Sequence, residues 1–99
     1  YVVEKQIEQN ELNRAMADAA EGVSIAFMLM PHCDSEKLFE EIKFASWLMR
    51  RTNGVKAAVT YLNGQIAYVE QINKESSILP GLYEILGDIK KAEHNKQHG

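Results

Sequence analysis

An α/β fold is what this chain predicts, on three observations. An Asn63-Gly64 pair lies between two apolar runs rich in β-branched residues, a strong local signal for a two-residue hairpin turn. The run Val23 to Met30 is nearly continuous in apolar residues, of strand length, and stopped by Pro31. Between these two segments, Lys37 to Arg51 carries Leu38, Ile42, Ala45 and Met49 on one helical face. The expected order is α-β-α-ββ-α in a small sheet of the ferredoxin-like or thioredoxin-like kind.

The first element, residues 4–21, is rich in Glu, Gln, Ala and Leu, with Leu12, Met16 and Ala19 at helical spacing and Gly22 as its expected end. For residues 23–30 a buried helix is the rival reading, because Leu12, Met16, Ala19, Val23, Phe27 and Met30 continue one 3.6-residue stripe. Asp34 or Ser35 offers the capping oxygen for the next helix, and Asn53-Gly54 the residue that closes it.

Residues 55–72 admit two readings as well. Val55, Val59, Leu62, Ile66, Val69 and Ile72 recur every three or four residues, as in a helix. A helix, however, places Asn63-Gly64 in its interior at a cost of roughly 1 to 1.5 kcal/mol, whereas a hairpin pairs Tyr61 with Ile66 and Val59 with Tyr68 across a turn both residues favour. The hairpin is preferred, and the alternative is an all-α bundle. A last helix begins near Pro80 and presents Leu82, Ile85, Leu86 and Ile89 on one face.

With 99 residues, 45% of them apolar, one domain spanning 1–99 is expected. The net charge of −3 and interleaved signs disfavour nucleic acid. A single Cys33 points to a reducing, cytoplasmic setting. No apolar run approaches the roughly 20 residues of a spanning helix, so no membrane helix is expected.

From Ile42 onward, the helix followed by Gly54-Val55, then Tyr61, Asn63-Gly64 and Ile66, and finally Leu82-Tyr83, Asp88 and His94, resembles the BLUF family of flavin photoreceptors. The resemblance implies a βαββα sheet. It does not extend to flavin binding or light sensing, because the positions of that family's flavin-contacting Asn and Gln hold Met49 or Arg50 and Tyr68 here. A thioredoxin-like enzyme is disfavoured in turn by the absence of a Cys-x-x-Cys motif and by Lys56 where a cis-proline is expected.

No nucleophile with a base, Gly-rich phosphate loop or framed carboxylate pair stands out. No cofactor is expected. His32 and Cys33 sit before a helix N-terminus, and His94 and His98 share an i, i+4 spacing; these are the metal candidates, outweighed by ordinary structural roles. Arg50, Arg51 and Lys56 form a small basic cluster able to hold a phosphate or an acidic partner. Tyr61, Tyr68, Trp47, Phe44 and Phe39 are expected mostly in the core, with any excess forming an apolar contact surface. The expected function is therefore a non-enzymatic interaction or regulatory protein, self-associating or binding a protein partner through Tyr61 and Tyr68. The alternative is a sensory module for a small, phosphate- or nucleotide-like ligand contacted by Arg50, Arg51 or Tyr68.

Overall fold

A computed structural model describes the backbone of residues 2–98 and the side chains of residues 8–92. The described chain forms four helices, α1 (Val2–Leu29), α2 (Glu36–Asn53), α3 (Val55–Ile72) and α4 (Leu79–His98), and contains no strand. The expected α/β sheet and its hairpin are thus corrected to the all-helical alternative. With them falls the resemblance to BLUF and thioredoxin-like domains, which rested on that sheet.

Each misread segment is helical for a reason visible in its stripe. Ala19, Val23 and Ala26 are buried and Leu12, Met16, Phe27 and Met30 pack against them, so the rival stripe is the real core face of α1. Gly22 does not end that helix. A Cβ there would meet Glu41 Oε2 at 2.8 Å, so the glycine admits the α2 side chain. In α3, Ala58, Leu62, Ile66 and Val69 are buried on one face. Burying a Leu, Ile or Val side chain stabilises by about 1.5 to 3 kcal/mol each, so this face outweighs the propensity cost of an interior Asn63-Gly64.

Ser35 caps α2, its extended backbone (φ −92°, ψ 136°) letting its oxygen accept from the Lys37 amide at 3.1 Å. Gly54 then closes α2 and opens α3 alone. Its φ of 94° is one that L side chains rarely adopt, its N–H donates to the Arg50 carbonyl, and its own carbonyl accepts from Ala58. Both bounds of α2 and the start of α3 are therefore set by two residues the sequence displays.

The central element is α2, which packs against α1, α3 and α4. Its buried Leu38, Ile42, Ala45 and Leu48 meet Ala19, Val23 and Ala26 of α1, Leu62 and Ile66 of α3, and Leu82, Leu86 and Ile89 of α4 in one cluster. The two longer loops are stitched together by three side chains of the α3–α4 loop. Asn73 Nδ2 donates to the His32 carbonyl at 2.9 Å, Ser76 Oγ to the Cys33 carbonyl, and Ser77 Oγ to the Asp34 carbonyl at 3.1 Å.

The result is a slab of 48 × 35 × 17 Å with a radius of gyration of 14.7 Å, against about 13 Å for a compact domain of this length. A thin slab leaves its faces short of cover, and Ile25, Met28, Leu29, Phe44, Trp47, Tyr68, Ile72 and Tyr83 are all substantially exposed.

Candidate functional site, a groove between the first and third helices

A groove of about 580 Å³ lies between α1 and α3. Its α1 wall is Ala20, Val23, Ser24, Phe27 and Met28, and its α3 wall is Tyr61, Gly64, Gln65 and Tyr68. These residues fall at i, i+3, i+4, i+7 and i+8 along α1 and at i, i+3, i+4 and i+7 along α3, so each wall is one helical stripe. Phe27 and Tyr68 meet edge to face with ring centroids 4.7 Å apart. Tyr61 is half-buried, and burial pushes its phenol above the ordinary value of 10.0. No formally charged side chain lines the groove.

Part of the lining is small. Ala20 and Ser24 of α1 and Gly64 of α3 are among its lining residues, and a Cβ added to Gly64 would meet nothing within 4 Å. Two other helix glycines differ: Gly22 makes room for Glu41, and at Gly81 a Cβ would come 2.6 Å from Cε1 of Phe39. Gly64, like Gly87 of α4, has no such neighbour inside the chain, and of the two only Gly64 lines the groove.

Of the sequence-expected contact residues, the fold places Tyr61 and Tyr68 in this groove, two turns apart on one helix rather than on paired strands of a hairpin. Arg50, Arg51 and Lys56 lie apart from it, at the junction of α2 and α3 where the first two occupy the last turn of α2. That end of a helix carries partial negative charge, which favours the two arginines without any ligand.

Cys33 is fully buried and holds a left-handed backbone (φ 53°). Burial first, and the Asp34 carboxylate second, raise its thiol above the usual 9.0. The thiol is protonated at neutral pH and shielded, the opposite of a reactive cysteine. His32 is exposed and contributes its carbonyl to the loop stitching. The side chains of His94 and His98 lie outside the described residues, and among the described ones no group of three His, Cys, Asp or Glu is placed to hold a metal ion. No helix among the described residues is long and apolar enough to cross a membrane.

Of the five aromatics expected mostly in the core with an excess at the surface, Trp47 and Phe44 of α2 and Tyr68 of α3 are about half-exposed. The Phe44 and Trp47 rings stack with centroids 6.1 Å apart and planes 21° apart, and the Arg51 guanidinium carbon lies 5.2 Å from the Trp47 ring centre. A signal for this face was present. Between Ile42 and Val69 the sequence has Lys43, Arg50, Arg51 and Lys56 and no Asp or Glu, while the rest of the chain holds seven basic and fourteen acidic residues. The signs are segregated along the chain rather than interleaved.

No protein family, curated protein or solved structure matches this chain.

Proposed function

We propose that this protein is a non-enzymatic interaction module whose α1–α3 groove receives the apolar face of an amphipathic helix from a protein partner. The observation that carries this reading is Gly64. An interior helical glycine costs about 1 kcal/mol relative to alanine, and its missing Cβ serves no contact within the chain. The space it leaves, together with Ala20 and Ser24 and the flanking rings of Phe27, Tyr61 and Tyr68, has the form of a hole that a partner's side chain enters as a knob. An uncharged lining suits an apolar anchor and gives an ionic substrate nothing to bind.

The small-molecule reading draws support from the groove's volume, which falls within the several hundred cubic ångströms usual for ligand sites. A phosphate-like ligand is disfavoured, because Arg50, Arg51 and Lys56 are absent from the lining.

A photo-reactive amino acid in place of Gln65, with and without Gly64→Leu, separates the two. The expected result is a covalent adduct to one protein partner, mapped to residues 20–28 and 61–68 by hydrogen exchange and lost when leucine fills the groove. A retained small molecule seen in native mass spectrometry, displaced by Gly64→Leu, would replace the interaction reading with the ligand-binding one.

A further inference from the structure

Two exposed helix stripes, which share only Met28 with the groove, are complementary to each other. On α2, Phe44, Trp47 and Arg51 follow at i, i+3 and i+7 as a stacked ladder, with Arg50 and Lys43 exposed beside them. A guanidinium lying over an indole is pre-set to meet a carboxylate, and the half-exposed rings present apolar area next to it. On α1, Asp18, Glu21, Ile25 and Met28 follow at i, i+3, i+7 and i+10, all exposed, with Leu29 beside them. Met28 is 81% and Leu29 72% exposed, more than any other large apolar side chain described.

We propose that the α1 stripe of one copy docks antiparallel on the α2 stripe of a second copy, so that this chain self-associates through unlike surfaces. The order of residues fixes the direction. Along α1 the acids precede the apolar side chains, and along α2 the rings precede the arginines. Only an antiparallel approach sets Asp18 and Glu21 against Arg50 and Arg51 while Ile25 and Met28 cover Trp47 and Phe44. The lengths agree to within one turn, at about 15 Å for residues 18–28 and about 11 Å for residues 44–51 by the rise per residue. Charge segregation supplies the steering, since the basic stripe belongs to the acid-free segment and the acids to the net-negative remainder. A second copy is favoured over nucleic acid because the cationic stripe is two turns long and bordered on the same face by Glu36 and Glu40, which would repel a phosphate backbone continuing past it.

Because the two stripes are different surfaces, charge reversal can be split between copies. Arg50→Glu/Arg51→Glu and Asp18→Lys/Glu21→Lys, both wholly on exposed positions, are compared with the unaltered chain by sedimentation velocity. Helicity by circular dichroism confirms that each variant is folded. The unaltered chain is expected to associate with rising concentration and to dissociate as salt is raised. Each double variant alone is expected to be monomeric, and an equimolar mixture of the two to associate again, because native acids then meet native arginines and the introduced lysines meet the introduced glutamates. An unaltered chain that stays monomeric overturns the proposal and leaves the groove reading standing. Association that survives Arg50→Glu/Arg51→Glu overturns it too, and loss of that association in Gly64→Leu would show that the copies pair through the groove instead.

Discussion

Phe27 of α1 and Tyr68 of α3, 41 positions apart in sequence, meet edge to face in the lining of the α1–α3 groove, 4.7 Å between ring centres. Such a pair contributes about 0.5 to 1.5 kcal/mol beyond its buried area. A double-mutant cycle of Phe27→Ala and Tyr68→Ala, read by urea unfolding, is expected to return a coupling in that range. Additive effects would mean that the rings line the groove independently. Tyr68→Ala is also expected to lose the partner while the protein remains folded.

Gly64 separates stability from binding. Its backbone is helical and the space around it is open, so Gly64→Ala is expected to raise unfolding free energy by roughly 0.5 to 1 kcal/mol. Gly81→Ala is expected to lower stability, because its Cβ would press on the Phe39 ring at 2.6 Å. Thermal melts of the two variants check both signs.

The loop stitching is open to a single-atom test. Ser76 is buried and its hydroxyl binds the Cys33 carbonyl between the two longer loops. Ser76→Ala leaves that carbonyl without its side-chain donor and is expected to cost about 1 to 3 kcal/mol. Hydrogen exchange should accelerate first in residues 30–35 and 73–78, and uniform acceleration across all four helices would refute a local role for the stitch.

Alkaline pH should weaken the fold. Cys33 is raised by burial and then by Asp34, Tyr61 by burial, and Tyr83 by its hydrogen bond to Glu70 and then by burial. All three shifts are upward, so the folded chain holds these protons more tightly than the unfolded chain does. Their stabilising effect is complete below the unfolded values of 9.0 and 10.0 and is lost as pH rises through the higher folded values. Unfolding free energy measured from pH 7 to pH 11 is expected to be level at first and then to fall, less steeply in Tyr61→Phe.

The helix over residues 37–51, a cap at Asp34 or Ser35, its stop at Asn53-Gly54 and the helix beginning near Pro80 are all legible in the sequence, because each rests on local chemistry: a side-chain oxygen to accept an amide, a glycine to turn the chain, an apolar residue every third or fourth position. Residues 23–30 and 55–72 were not. In the first, apolar residues exposed in the fold, Ile25, Met28 and Leu29, fill the gaps in the helical stripe and make it resemble a strand; in the second, Asn63-Gly64 imitates a hairpin turn and Tyr68, also exposed, a cross-strand partner. A sequence records that such a side chain is apolar and leaves its destination open. Only tertiary packing decided that these face outward, that Tyr61 and Tyr68 share a groove with Phe27, and that Gly64 sits in a helix with nothing of its own chain above it. The physical reason is that core faces are selected by the neighbours available to bury them, and α2, lying against three helices, could cover one face of each and no more.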